Sequence, residues 1–193
     1  MWPLAVAALA VCALAPSGAS AQAAVTLSRT APRVLSDITD AVKDDDGAQT
    51  TLRTVLTYDP GPGEYVYTVT GADGRVRSRE VRGLAPFGPT PEEDAAARTL
   101  VALDADVAPI LSRALHPVRI QGGFALVREA GHACGPGSRC AQYEVAELVP
   151  GEPFGRRLRY VVVDLRAVRV LSADFDPVAE GNLANPAARA VSP

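Results

Sequence analysis

Two cysteines, Cys134 and Cys140, stand close together inside a run of strand-forming segments that extends over Val118–Phe175. The residues between them, Gly-Pro-Gly-Ser-Arg, are typical of a tight turn. In an exported chain, two cysteines at this spacing most simply form a disulfide at the tip of a hairpin. The chain-entropy contribution of so short a loop is about 2 kcal/mol. The sequence therefore predicts a stapled hairpin onto which the rest of the chain packs.

The beginning of the chain indicates export. Met1–Ala15 is rich in Ala, Leu and Val without a charged side chain, and small residues follow at Ala19, Ala21 and Ala23. This predicts a signal peptide over residues 1–23, cleaved after Ala21 or Ala23, and a periplasmic or secreted protein in an oxidising compartment. About a dozen apolar residues are too few to cross a bilayer, so we expect no stable membrane span.

Length and charge narrow the class of protein. Cleavage leaves about 170 residues, enough for one core, and we expect a single α+β domain over residues 24–176. Residues 177–193 have no apolar periodicity and are predicted to be a disordered tail. A net charge of −3 argues against nucleic acid as a partner. Nearly all basic residues are Arg, and with the abundant Ala this suggests a GC-rich bacterial genome.

The first half predicts a helix and a β-meander. Apolar residues in Pro32–Lys43 recur at helical spacing, with Ser36 as a candidate N-cap, so we expect a short amphipathic helix there. Three strand-like runs follow, separated by turns rich in Gly, Pro and Asp: Thr50–Tyr58, Glu64–Thr70 and Arg75–Arg82. In the middle run, Tyr65, Tyr67 and Val69 share the face that we expect to be the core face.

Thr90-Pro91-Glu92-Glu93 forms a capping box with Pro at the first helical position, and predicts one main helix over about 91–115. We expect Ala96, Leu100, Val101 and Leu103 to point inward and the helix to break near Asp104–Asp106. Four strands follow: Val118–Glu129 with a kink at Gly122-Gly123, Ala141–Leu148, Arg157–Leu165 and Arg169–Phe175. The third is apolar on both faces, which is typical of a central strand. The predicted fold class is α+β, an antiparallel sheet packed against this helix, with the N-terminal short helix and meander.

Three groups of polar residues are candidate sites. His132, Cys134 and Cys140 could instead bind a metal, or the cysteines could be redox-active, although their spacing is not Cys-x-x-Cys. Asp37, Asp40 and Asp44–Asp46 suggest calcium, but an EF-hand register fails because Arg53 falls where the bidentate Glu belongs.

A stripe of arginines is the third candidate. Arg75, Arg77 and Arg79 alternate along one strand, so they project from one face. They predict either a stripe that binds anionic ligands, such as lipid head groups or polyanionic envelope material, or a charged sheet edge that discourages strand pairing.

No Gly-x-Ser-x-Gly or His-Glu-x-x-His motif occurs, and nothing singles out a catalytic residue, metal or cofactor. We therefore predict a non-catalytic exported binding or interaction module whose partner is an envelope protein or an anionic envelope component. The alternative is a small envelope hydrolase or metal-dependent enzyme that uses His132 and neighbouring carboxylates.

The segment Tyr160–Leu171, Tyr-Val-Val-Val-Asp-Leu-Arg-Ala-Val-Arg-Val-Leu, resembles the closing hairpin of PepSY-like domains, which are small exported bacterial modules. In those domains a strand ending in Val-x-Asp turns through Thr-Gly, whereas Ala167 and Val168 stand at the turn here. The resemblance implies a helix packed on an antiparallel sheet and a non-enzymatic inhibitory or interaction role in the envelope. It transfers no catalytic residue.

Overall fold

The computed structural model of the chain describes residues 27–43 and 46–175. The predicted signal peptide and tail lie outside the described residues. Within them, the strands form two antiparallel four-stranded sheets, and in each sheet the strands are ordered as in the sequence. The predicted α+β class is confirmed, and the two meanders form two sheets rather than one.

The first sheet contains β1 (Arg33–Lys43), β2 (Gln49–Asp59), β3 (Glu64–Gly71) and β4 (Val76–Arg82). Strands β2 to β4 confirm the predicted meander. Tyr65 is buried, and Tyr67 packs against the same cluster, as the alternation of β3 predicts. That cluster is small and consists of four buried residues at one end of the sheet: Leu56, Tyr58, Tyr65 and Ala85.

The predicted N-terminal helix is wrong, because Arg33–Lys43 is strand β1 and pairs along its length with β2. Its apolar residues recur at helical spacing, but they do not form one buried face: Leu35 packs against the core cluster of the first sheet, whereas Val34 is 56% exposed and Ile38 is 49% exposed. The candidate N-cap Ser36 instead follows a bulge in the β1–β2 pairing. The backbone hydrogen bonds offered by β2 decide the conformation of a segment that is otherwise only weakly helical.

Two helices connect the sheets, α1 (Pro91–Leu103) and α2 (Ala108–Arg113). The capping box at Thr90 is present, and the predicted break after the first helix is confirmed. The inward face differs in part from the prediction, because Glu93, Ala97 and Val101 are buried whereas Leu103 is 50% exposed.

The second sheet contains β5 (Val118–Leu126), β6 (Cys140–Glu147), β7 (Arg156–Asp164) and β8 (Arg169–Ser172). One side of it, called the helix face here, packs against α1 through a cluster that includes Val161 and Val163. The opposite side, called the disulfide face, buries Val162. Strand β7 is therefore apolar on both faces and lies between two neighbours, as predicted.

The predicted disulfide between Cys134 and Cys140 is confirmed, with Cα atoms 5.6 Å apart. Both cysteines are buried against the disulfide face, in a cluster with Leu126, Val162 and Phe175. The bridge is thus part of a core and does more than close the tip of a hairpin.

Candidate functional site

The two sheets meet at an ionic cluster that is buried between them. The carboxylate of Glu93 on α1 accepts hydrogen bonds from Arg33 Nη1 on β1 at 2.7 Å and from Arg139 Nη2, in the disulfide loop, at 2.7 Å. Glu93 is fully buried and Arg139 is 2% exposed. Arg139 also donates to the carbonyls of Phe87 and Gly88. We call Arg33, Glu93 and Arg139 the ionic joint, because they connect β1, α1 and the disulfide loop.

The electrostatics of the ionic joint keep Glu93 charged. Burial alone would raise the pKa of its carboxyl. The hydrogen bonds and positive charge of Arg139, the backbone N–H of Thr90 and the hydrogen bond from Arg33 outweigh that effect and hold the pKa below its usual value. Both oxygens of this carboxylate accept hydrogen bonds from protein groups, namely Arg33, Arg139 and the Thr90 N–H. The ionic joint is therefore structural.

The disulfide loop also touches the first sheet through two tyrosines. Burial raises the pKa of both hydroxyls, so they stay protonated and donate: Tyr58 to the carbonyl of Gly137 at 3.1 Å and Tyr65 to that of Ser138 at 2.7 Å. The turn after β2 approaches so closely that a Cβ on Gly63 would lie 2.6 Å from the Gly137 carbonyl oxygen. The disulfide thus holds the loop that joins the two sheets.

A surface site lies on the disulfide face of the second sheet, beyond the disulfide. The pairing of β5 with β6 shifts register between Gly122 and Phe124, so Gly123 is an extra residue in a β-bulge. Both glycines adopt positive φ, 123° and 86°, and a Cβ on Gly122 would lie 2.8 Å from the carbonyl oxygen of Gln142. The bulge reverses the alternation of β5, and as a result Phe124 stands on the disulfide face.

Phe124 borders a groove of about 400 Å³, which we call the β5–β7 groove. Its floor and walls are side chains from neighbouring positions of three strands. Phe124 lies opposite Gln142, and Tyr160 lies opposite Glu144, which also pairs with Gln121. The volume falls within the range of about 300–1,000 Å³ that is usual for small-ligand sites.

The polar groups of the β5–β7 groove are incompletely satisfied. Gln121 Nε2 donates to Glu144 Oε2 at 3.3 Å. The side-chain oxygen of Gln142 is shielded from water and has no donor among the described residues. The hydroxyl of Tyr160 accepts a hydrogen bond from Arg157 Nη1 at 2.5 Å, which leaves its own proton available for donation. The groove therefore offers both donors and acceptors between two aromatic rings.

The predicted arginine stripe lies at a different place, on or next to the edge strand β4 of the first sheet. Arg77 forms an ion pair with Asp73 at 2.9 Å and sits in a bulge. The side chains of Arg75 and Arg79 make no hydrogen bond or ion pair with the described residues. The bulge reverses the alternation of β4, so Arg75 and Arg79 lie on opposite faces of the sheet. The structure therefore places the three arginines along one edge but not on one face, and among the described residues only Arg77 of the three has a side-chain partner.

The remaining candidate groups do not converge on a site. Cys134 and Cys140 are bonded to each other, so their sulfurs are not available as thiolate ligands, and His132 Nδ1 accepts the backbone N–H of Cys134 at 2.9 Å. Asp37 pairs with Arg53 across β1 and β2. Asp44 and Asp45 lie outside the described residues. Within the described ranges, 27–43 and 46–175, no three His, Cys, Asp or Glu side chains are grouped to hold a metal ion.

Reasoning from the sequence missed the β5–β7 groove. The Gly122-Gly123 kink was predicted. Which face of the sheet Phe124 occupies, however, depends on how β5 pairs with β6, and the sequence does not show that register. Gln142 and Glu144 alternate with apolar residues within β6, whose one other polar residue is Glu147 at its end. That alternation is the one signal that could have indicated a polar surface on this face.

No protein-family model, curated protein or solved structure matches this chain. The resemblance of Tyr160–Leu171 to PepSY-like domains therefore remains a prediction. In the part of the chain that the structure describes, neither helix has the length and apolar character needed to cross a membrane.

Proposed function

We propose that this chain is a non-catalytic, exported binding module and that its ligand occupies the β5–β7 groove. The observation that carries the proposal is the glycine bulge that places Phe124, 66% exposed, beside a polar floor. An apolar ring of this size gains about 1.5–3 kcal/mol when it is fully buried. An exposed ring at the rim of a groove therefore offers binding energy that the fold itself does not use.

Further support comes from features that the fold of the second sheet does not require. Two glycines in a strand interior cost conformational entropy. The unsatisfied oxygen of Gln142 costs about 1–3 kcal/mol relative to a hydrogen-bonded one. Such departures from local consistency are expected at functional sites.

The charged groups favour binding over catalysis. Among the described residues that line the β5–β7 groove, Glu144 is the only carboxylate, whereas hydrolysis by carboxylates needs an acid and a base at defined separation. Glu93, the most deeply buried carboxylate, is held in its charged form by two arginines. These observations support a module without acid–base machinery.

The test is a titration of the ¹⁵N-labelled chain with four chemically different probes: a neutral disaccharide, an uncharged blocked dipeptide, a nucleoside and choline. We expect at least one probe to give saturable amide shifts at Gln121, Phe124, Gln142 or Glu144. Phe124→Ala should abolish those shifts. If all four probes leave these amides unmoved, or if the shifts survive Phe124→Ala, the proposed site is wrong.

The arginine edge of β4 supports a second candidate function, the binding of an anionic envelope component. The specific observation is that Arg75 and Arg79 have no side-chain partner among the described residues, and that exposed cations on a sheet edge attract polyanions. Such an interaction would bring the module to a surface while leaving the β5–β7 groove open.

A further inference from the structure

We infer that the ligand of the β5–β7 groove is a neutral carbohydrate, an oligosaccharide whose ring stacks on Phe124. The inference rests on the proposed function and specifies its ligand class. It follows from three properties of the groove: its two aromatic walls, its mixture of donors and acceptors, and its balance of charge.

The aromatic walls match the shape of a sugar ring. Phe124 and Tyr160 stand on β5 and β7, with β6 between them. Two interstrand spacings separate them by about 10 Å across the sheet. The faces of an aromatic ring carry partial negative charge, and the C–H groups on one face of a pyranose carry partial positive charge, so the two faces attract each other when stacked. Phe124 lies opposite Gln142 and Tyr160 lies opposite Glu144, so the two side chains are also offset along the strands. An oligosaccharide that stacks one ring on Phe124 can therefore reach the Tyr160 hydroxyl with the next ring.

The hydrogen-bonding groups of the floor match hydroxyls. Gln121 and Tyr160 have protons available for donation, whereas the carboxylate of Glu144 has lone pairs available for acceptance. A hydroxyl is both donor and acceptor, so adjacent hydroxyls on one ring can serve both kinds of group. A ligand with donors only would leave the second amide proton of Gln121 and the Tyr160 hydroxyl proton without an acceptor.

The charges in and beside the groove favour a neutral ligand. The guanidinium of Arg157 lies 4.7 Å from the centroid of the Tyr160 ring. It already occupies the position that a cationic ligand would take over that ring, and its charge repels a second cation. An anionic ligand would instead face the carboxylate of Glu144 on the floor. One cation and one anion are therefore already present, and an uncharged ring disturbs neither.

The test uses three oligosaccharides of similar ring structure and different charge: an N-acetylglucosamine trimer (neutral), a glucosamine trimer (cationic) and a galacturonate trimer (anionic). Calorimetry on the full chain should detect binding of the neutral trimer, with at least about tenfold weaker binding of the two charged trimers. Phe124→Ala should weaken binding of the neutral trimer about tenfold or more, as removal of one stacking contact does elsewhere. Phe154→Ala is the matched control, because Phe154 is 82% exposed and does not line the groove.

Gln142→Leu provides a second variant that separates binding from folding. It removes an acceptor that has no partner among the described residues, so the free protein should keep or gain stability. It also replaces a polar side chain of the groove lining by an apolar one, so the affinity for the neutral trimer should fall. The carbohydrate inference is overturned if a charged trimer binds best. It is also overturned if only the dipeptide, nucleoside or choline shifts the groove amides, in which case the proposed function stands. If no probe or sugar shifts the groove amides, both are wrong.

Discussion

Replacing Glu93 with Gln tests whether the ionic joint holds the two sheets together. Gln has nearly the same shape, and its oxygen can still accept the Thr90 N–H in the capping box. Its NH2 group then replaces the oxygen that accepts from Arg33 and Arg139, so the change removes both the charge and that acceptor. The variant leaves Arg33 and Arg139 close together without their shared anion, both in positions where water has little access.

The expected loss follows from the burial of the three groups. Breaking a buried ion pair by removing one partner costs about 3–5 kcal/mol. For a domain of this size that corresponds to a fall in Tm of about 6–20 °C. Thermal and urea denaturation followed by circular dichroism measure it. Glu92→Gln is the matched control, since Glu92 is an exposed neighbour in the same helical turn, and we expect a loss of no more than about 1 kcal/mol there.

The same pair of proteins gives a test by pH. Because the folded pKa of Glu93 lies below its usual value, its contribution to stability is complete above the unfolded pKa of about 4.3 and is lost as the pH falls through the lower folded value. The difference in stability between wild type and Glu93→Gln should therefore be largest near neutral pH and shrink in acid. A variant that matches Glu92→Gln at pH 7, or a difference that does not change with pH, would refute the reasoning.

Three further predictions follow from other parts of the structure. Val168 adopts a φ of 55°, which costs a β-branched residue about 1–2 kcal/mol. Val168→Asn should therefore raise the free energy of unfolding in urea by about 1 kcal/mol. A lower free energy of unfolding would contradict that conformation. Replacing Cys134 and Cys140 by Ser should cost at least about 2 kcal/mol from loop entropy, and more because two hydroxyls enter an apolar cluster. It should also speed hydrogen exchange at the Gly137 amide, which donates to Gly83; unchanged exchange would show that the disulfide does not hold the loop in place. Arg79→Glu should weaken binding to anionic vesicles at least about fivefold. Arg119→Glu, on the second sheet, is the control. If both variants weaken binding equally, the β4 edge is not the binding surface.

Several elements could be predicted because local chemistry alone determines them. The capping box at Thr90 fixes the start of α1 through contacts within one turn. The disulfide follows from two neighbouring cysteines and from the prediction that the chain is exported. Strand β7 follows from its unbroken apolar run.

The features that were predicted wrongly or missed share a physical cause: each depends on residues that are distant in the sequence. Segment Arg33–Lys43 is a strand because it pairs with β2 along its length. The spacing of its own apolar residues does not indicate that pairing. The sequence identifies Glu93 only as a capping residue. Its second role, as the anion between two arginines, depends on Arg33, 60 residues away in the sequence, and on Arg139, 46 residues away. The β5–β7 groove likewise exists only once β5, β6 and β7 are in register.

The most direct test of this account is a crystal structure of the chain grown with the neutral N-acetylglucosamine trimer. We predict a sugar ring stacked on Phe124, with its hydroxyls bonded to Gln121 or Glu144. A trimer bound with comparable order at another surface, such as the β4 edge, and an empty β5–β7 groove would contradict the central claim.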